Sequence, residues 1–416
     1  MDQLTNSNEG YHVFMPLSGK RIILGVTGGI ACFKAAEYAR NLSKEGASVQ
    51  PLLTENACRF VTEHTFSALT GHRTRTQAFD PSATHEIPHI KLAQKADLLM
   101  VLPATADIIA KFAHGIADNL LTTLFLSFKR PVLIFPSMNP DMYNHPATQT
   151  NLEILKARGN IIVEPESGTV VCGARGKGKL AGWEKVLYHV KKALWPKPLK
   201  DRKILITAGP TREPLDPVRF ISNRSSGKMG YKLAEAASLR GADVNLVSGP
   251  VALKDPMGTK VKRVETAKEM AQAVFSLAEQ MDIVIMAAAV ADYSPARFSR
   301  QKIKKSDKDI DIELTRTTDI LMKLGEKKTD RVILVGFCAE SQDLVQNAFA
   351  KLRKKNLDLI IANDITQPGA GFDSDTNRVL LIDQEENVEE LPLMDKAEVA
   401  ERILDKIQEI IALREY

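Results

Sequence analysis

At 416 residues the chain is too long for one compact core and suits two α/β domains of about 200 residues each, with 44% hydrophobic content to fill both. The balance of 56 basic against 51 acidic residues, net +5, excludes the strongly basic surface of a nucleic-acid binder. Cys32, Cys58, Cys172 and Cys338 show no C-x-x-C or zinc-type spacing, no apolar run approaches a membrane span, and residues 1–19 lack a secretory core; a reduced, soluble, cytoplasmic protein with no membrane partner is expected.

Residues 1–19 read as a flexible tail. The apolar run at 21–27, two glycines and a helical stretch over 30–44 predict a strand, a tight turn and a helix. Further strands are expected at 48–53, at 97–102 ending at Pro103, at 131–135 and at 160–163. Strands alternating with helices predict a parallel sheet covered on both faces. Residues 195–202, Pro-rich and charged, read as a linker between a domain at 20–194 and one at 203–416. In the second domain strands are expected at 203–208, 243–247, 282–286, 331–335 and 358–361, with a helix over 227–240. An antiparallel hairpin at 378–383 and 387–391 and an amphipathic helix over 396–413 close the chain. The fold class is therefore α/β, two Rossmann-like three-layer domains.

Four segments of the first domain carry chemistry. The turn Gly25-Val-Thr-Gly28-Gly29-Ile30 lets backbone N–H groups approach an anion at a helix N-terminus, although it is not G-x-G-x-x-G. Pro103-Ala104-Thr105-Ala-Asp107-Ile108 and Phe135-Pro-Ser-Met-Asn139-Pro-Asp-Met-Tyr143 both follow strands, where ligands of open α/β sheets collect. Glu86-Ile-Pro-His89 precedes a helix; a lone histidine there is usually unremarkable, and the company of the other segments selects it. In the run 166–180, Gly168, Gly173, Gly176 and Gly178 exclude a helix or a central strand. A mobile loop is expected, with Cys172 at its root among cations that favour a thiolate. Cys32 and Cys58, in helical patterns, are expected in the core.

These segments resemble the flavin-dependent cysteine decarboxylases, whose motifs read roughly P-A-S-A-N-T and P-x-M-N-x-x-M. The resemblance implies a flavodoxin-like, homo-oligomeric flavin-containing cysteine decarboxylase fold with FMN as cofactor. It places Gly28, Gly29, Thr54, Pro103, Ala104 and Thr105 at the cofactor. It also implies that FMN oxidises the thiol of 4′-phosphopantothenoylcysteine and that the resulting thioaldehyde loses carbon dioxide. His89 would act at the substrate carboxylate or thiol, Asn139 would bind that carboxylate, and Cys172 would donate a proton as hydride returns. Asp107 departs from the family's usual Asn.

In the second domain the densest signal runs from Thr207 to Gly230 and ends in Ile-Ser-Asn223-Arg-Ser-Ser-Gly-Lys-Met-Gly230. A polar loop of that length opening a helix is an anion site, though its spacing is not a Walker A loop. Ala287-Ala-Ala-Val-Ala-Asp292 follows a strand, and Lys302-Ile-Lys-Lys305 comes ten residues later. A lysine run is normally a solvated face, but after a strand-end loop it can reach a triphosphate. Val335-Gly-Phe337-Cys-Ala-Glu340, Lys351, Lys355 and Asn363-Asp364 add an aromatic platform and further polar groups.

This set resembles the phosphopantothenate–cysteine ligases, and the order of halves is that of the bacterial bifunctional family of coenzyme A biosynthesis, over essentially residues 20–413. The resemblance implies that CTP and magnesium activate 4′-phosphopantothenate as an acyl cytidylate, which the amine of cysteine then attacks. Lys302 would neutralise the triphosphate, and Asn223 would hold or polarise the acyl cytidylate. Asp292, Phe337, Lys351 and Lys355 would bind the nucleotide, with magnesium binding the alternative role for Asp292, and Arg219 would contact the substrate phosphate. Cys338 is expected to pack beside Phe337. The family likeness further implies trimers through the flavin domain and dimers through the ligase domain. The missing G-x-G-x-x-G argues against an NAD(P)-dependent oxidoreductase, and the presence of Cys172 against a non-catalytic flavin-binding regulator.

Overall fold

The computed structural model describes residues 15–77, 87–169, 173–304, 311–340, 342–364 and 374–415. These fall into two units, Met15–Trp195 and Pro196–Tyr416. In the first, β1 (Arg21–Val26), β2 (Ser48–Leu53), β3 (Leu98–Ala104), β4 (Val132–Pro136) and β5 (Ile161–Ile162) form a parallel sheet in the order β2-β1-β3-β4-β5. The near-continuous apolar strands bury both faces. Ile22, Leu24 and Val26 join Leu98 and Met100 on one face, under the helices Cys32–Lys44 and Trp183–Leu194. Ile23, Leu99 and Val101 face the other, under Ala106–His114, Leu120–Ser127 and Pro146–Ala157. That alternation makes the three layers.

Several boundaries differ from expectation. Residues 15–19 are not tail: Leu17 is fully buried, and its N–H donates to the Glu45 carbonyl at 2.9 Å. Strand β3 continues through Pro103 to Ala104, with its register on β4 shifting between Val101 and Ala104. Instead of an open loop, β6 (Glu166–Thr169) and β7 (Arg175–Lys179) pair as an antiparallel hairpin. Cys58 is exposed, whereas Cys32 is buried.

The second unit contains β8 (Lys203–Ala208), β9 (Arg212–Pro214), β10 (Phe220–Ser222), β11 (Asp243–Ser248), β12 (Thr259–Arg263) and β13 (Ile283–Met286). It continues with β14 (Tyr293–Pro295), β15 (Leu314–Arg316), β16 (Ile333–Glu340), β17 (Leu359–Asp364), β18 (Thr376–Asp383) and β19 (Val388–Asp395). Its main sheet has the order β12-β11-β8-β13-β16-β17-β18-β19; the first six strands are parallel, and β18 and β19 append the expected antiparallel hairpin. The register of β18 on β19 breaks between Asn377 and Val379. Strands β9–β10 and β14–β15 form separate two-stranded ribbons. The stretch 195–202 is not a free spacer, because Leu199 is fully buried in this unit's core and Lys197 Nζ donates to the Leu239 carbonyl at 2.6 Å.

One device recurs at strand starts. Asp97, Asp282 and Asp358 each accept a neighbouring strand's backbone N–H, from Arg21, Lys203 and Leu334, at 2.9, 2.8 and 2.7 Å. Each carboxylate satisfies a donor that the ladder leaves unpaired. Among the described residues no helix is long and apolar enough to cross a membrane.

Candidate active sites

The order β2-β1-β3 puts the first sheet's switch point between β1 and β3, the place where open α/β sheets collect ligands at the C-terminal strand ends. Thr27 stands there, just after β1. Its hydroxyl donates to the Pro103 carbonyl at 2.7 Å and accepts the Thr105 N–H at 3.2 Å. Thr105 in turn caps the helix Ala106–His114 by accepting from Ile108 N at 3.4 Å. Thr54 N donates to the Val26 carbonyl at 3.0 Å, and the Thr54 hydroxyl caps the short helix Glu55–Cys58. At Gly28 a Cβ would lie 2.4 Å from Asn56 Cβ and 2.8 Å from its carbonyl carbon, so only glycine permits the turn to close there. Gly28, Gly29, Thr54, Pro103, Ala104 and Thr105 thus share one rim, which fits a phosphate-bearing ligand at a helix N-terminus.

The next loop joins this rim through Ser137 N, which donates to the Ala104 carbonyl at 3.0 Å. Asn139 caps the helix Pro140–Asn144, its Oδ1 accepting from Asp141 N at 2.7 Å. The glycine-rich strand β7 lies directly on this loop. Met138 N donates to the Gly178 carbonyl at 3.1 Å, and a Cβ at Gly178 would sit 2.3 Å from the Met138 oxygen. A Cβ at Gly176 would lie 2.8 Å from Pro140 Cβ. The glycines therefore serve close approach, which explains a strand where composition suggested a loop. Lys177 braces the hairpin from Glu164 at 2.5 Å, and this bond holds the Glu164 carboxyl below the usual range.

Cys172, between β6 and β7 in sequence, lies outside the described residues. His89 stands half-buried near the start of the helix Pro88–Lys95, and among the described residues no hydrogen bond ties it to the other three segments. Asp107 pairs with Lys111 at 3.3 Å.

In the second unit the strand order reverses between β8 and β13. The loop 287–292 after β13 is pinned by hydroxyls: Ala288 N donates to Thr207 Oγ1 at 3.1 Å, Ala291 N to Thr211 Oγ1 at 3.0 Å, and Thr317 Oγ1 to the Ala291 carbonyl at 2.6 Å. Asn223 Nδ2 donates to the Val290 carbonyl at 2.9 Å, which sets this side chain against the same loop. Around it lie two adjoining cavities. One, of about 490 Å³, is lined by Asp292, Arg316, Asp319, Phe337, Lys351 and Lys355 among others. The other, of about 390 Å³, is lined by Asn223, Gly227, Lys228, Asp292, Phe337 and Lys351 among others. Five sequence-predicted residues, Asn223, Asp292, Phe337, Lys351 and Lys355, are thereby brought together.

Both lysines carry counter-ions. Lys351 Nζ lies 2.5 Å from Glu340, and Lys355 Nζ lies 2.9 Å from Asp319. Burial alone would raise the Asp319 carboxyl, but Lys355 and the Met322 N–H outweigh it and hold it below the usual range. Asp319 was invisible to motif reading: before its helix it looks like an ordinary N-cap, which it also is. The threonines that pin the loop were missed for the same reason, since isolated hydroxyls carry no spacing signal. Lys302 is the exception to the convergence; it is exposed and lines neither cavity. Arg219, also exposed, sits on a neighbouring turn with Nη1 3.6 Å from Asp216.

Cys338 lines the second cavity beside Phe337, and burial pushes its thiol up to about 11. It is therefore neutral at physiological pH and serves packing. Cys338→Ala is expected to keep ligase turnover within about threefold of wild type, as measured by pyrophosphate release; a loss of a hundredfold would give the thiol a chemical role.

A flavoprotein family model matches residues 14–194, and one for the DNA/pantothenate metabolism flavoprotein C-terminal domain matches residues 199–411. The class defined by the two switch-point sites is thus a two-domain flavoprotein enzyme of pantothenate metabolism. Over 401 residues the chain is 47% identical to the coenzyme A biosynthesis bifunctional protein CoaBC of Bacillus subtilis (strain 168), covering 95% of this chain and 98% of that one. The corresponding protein of Escherichia coli (strain K12) is 44% identical over 397 residues, covering 94% and 98%. A crystal structure of the C-terminal domain of a CoaBC protein is 44% identical, covers 52% of this chain and 98% of that one, and has a TM-score of 0.45. The chain belongs to the family of coenzyme A biosynthesis bifunctional proteins CoaBC. It is a bifunctional enzyme, with a flavoprotein decarboxylase half and a ligase half.

Proposed function

We propose that the ligase half joins 4′-phosphopantothenate to cysteine at the expense of CTP, and that the first half decarboxylates the product to 4′-phosphopantetheine with FMN. The observation that carries the ligase reading is the gathering of Asn223, Asp292, Phe337, Lys351 and Lys355 around adjoining cavities. Lys351 and Lys355 meet the nucleotide phosphates in place of Glu340 and Asp319, Phe337 offers a face for a ring, and Lys302 neutralises the triphosphate. Asn223 holds the acyl cytidylate for attack by the amine of cysteine. Asp292 would be the protein ligand of magnesium, a cation that needs few protein ligands and would supply charge neutralisation at the phosphates.

In the first half the rim from Gly28 to Thr105 takes the FMN phosphate. When bound, FMN supplies the two-electron oxidation of the substrate thiol and its reversal. Asn139 binds the substrate carboxylate by its amide, while its oxygen also accepts from Asp141 N. His89 acts at the carboxylate or thiol, and Cys172 supplies the proton that the product requires. Trimers through the first unit and dimers through the second follow from the family likeness, and exposed apolar side chains such as Phe33 and Phe60 in the first and Val218 and Phe298 in the second leave each unit surface to bury. The cytoplasmic placement rests on the unpatterned cysteines.

A coupled assay tests the whole reading. Purified protein receives 4′-phosphopantothenate, cysteine, CTP and magnesium, and yields yellow protein, pyrophosphate, carbon dioxide and 4′-phosphopantetheine if it holds. The absence of both pyrophosphate and carbon dioxide would sink it. Cys172→Ser is expected to abolish carbon dioxide release with pyrophosphate release unchanged; a wild-type rate would remove the proton-donor role.

A further inference from the structure

Lys302 stands one residue from an unusual anchor. Asp216 is buried, at 2% exposure, yet it belongs to no core and lines neither cavity. Its Oδ1 accepts the Val218 and Arg219 N–H groups at 2.8 Å each. Its Oδ2 crosses to another segment and accepts the Ile303 N–H at 3.1 Å. A second tie runs alongside, from Ser299 N to the Leu215 carbonyl at 3.0 Å. The turn 215–219 and the segment 299–303 are thereby fixed to each other. Lys302 itself makes no ion pair among the described residues, so its position is inherited from this backbone.

A buried carboxylate is costly unless its oxygens are bonded, and here backbone N–H groups from two segments bond them. An asparagine could not do the same. Its oxygen would serve one segment while its NH₂ faced a donor on the other.

We propose that Asp216 is a positioning residue of the ligase half, holding the segment that carries Lys302 where that lysine meets the triphosphate. This rests on the assignment of Lys302 to CTP made above. Asp216 touches no substrate; it acts through Lys302.

The test is a double-mutant cycle in the full-length chain, with Asp216→Asn, Lys302→Ala and the pair. Pyrophosphate release is followed at varied CTP, and carbon dioxide release from supplied 4′-phosphopantothenoylcysteine, with a thermal melt, reports on each preparation's integrity. Lys302→Ala should lower kcat about a hundredfold. Asp216→Asn should lower kcat about tenfold, as a misplacement below 1 Å does, with KM for CTP within about threefold. The pair should match Lys302→Ala within about twofold, because a displaced lysine that is absent cannot matter.

Multiplying losses in the pair would mean that Asp216 acts through the fold or through Arg219, 3.6 Å from it, and overturn the proposal, as would a wild-type kcat for Asp216→Asn. A wild-type kcat for Lys302→Ala would instead sink the assignment of Lys302, and the proposal with it. Should Asp216→Asn not fold, Asp216→Glu keeps the charge and carries the same cycle: its kcat loss should vanish in the Lys302→Ala background, and a persisting loss overturns the proposal.

Discussion

Asn139→Asp is expected to cut carbon dioxide release by about a thousandfold without disturbing the fold. The substitution is nearly isosteric, and a carboxylate oxygen accepts from Asp141 N as the amide oxygen does, so the helix cap at Pro140–Asn144 survives. What changes is the other end of the side chain, where two donors become an anion. Two carboxylates about 4 Å apart repel by about 4 kcal/mol at an effective dielectric constant of 20, which is about three orders of magnitude in rate. Carbon dioxide release from supplied 4′-phosphopantothenoylcysteine should collapse, while pyrophosphate release and the melting temperature stay near wild type. Activity within tenfold of wild type would show that Asn139 does not face the substrate carboxylate.

The second large effect is at Gly325, inside the helix Ile320–Lys327. Helix propensity alone favours alanine there by about 1 kcal/mol. Packing opposes it. A Cβ at Gly325 would lie 2.0 Å from the Lys355 carbonyl oxygen and 2.8 Å from its carbon, and backbone cannot rotate away. Overpacking of this kind costs about 3 kcal/mol, so the collision wins by about 2 kcal/mol. The displaced partners are Asp319, which caps this helix, and Lys355, its ion-pair partner in the cavity lined by Phe337 and Asp292. Gly325→Ala should therefore lower the melting temperature of the ligase half by about 4–8 °C and raise KM for CTP about tenfold. A raised melting temperature would mean that propensity prevails and that the helix is not clamped on Lys355.

Where hydrophobic period and turn chemistry act locally, the sequence was legible. The strand at 203–208 falls as expected, and the terminal helix reaches to Glu415 because nothing in its pattern breaks it sooner. The strand expected at 331–335 instead runs over Ile333–Glu340, since pairing with β17 carries Phe337, Cys338 and Ala339 beyond the apolar run. Three-residue ribbons such as β9–β10 are too short to show a period. Leu17 and Leu199 were lost in polar surroundings, although each is fully buried, because one apolar residue is a core member only by virtue of what folds over it. The ligase cavity was legible in part because Asp292 follows β13 and Phe337 lies on β16 of one sheet, while Lys351 and Lys355 stand on the helix that follows β16. Lys302 was not, because its place depends on a contact with a turn 87 residues away in sequence, made through Ile303 and Asp216.

The two margins of the larger sheet bear on how this protein behaves in crowded solution. An outermost strand offers unpaired backbone groups to any other chain, and long flat edges seed aggregates. Here β12 carries Lys260, Lys262 and Arg263, all exposed, the first and last paired with Asp243 and Asp255, so an incoming strand would meet a row of charged side chains. On the far side, β19 opposes Arg378 with two residues, Pro392 and Leu393, and the proline has no N–H to give. Each margin therefore disfavours the addition of another strand in register. Both margins thus carry features that discourage edge-to-edge growth into a fibre.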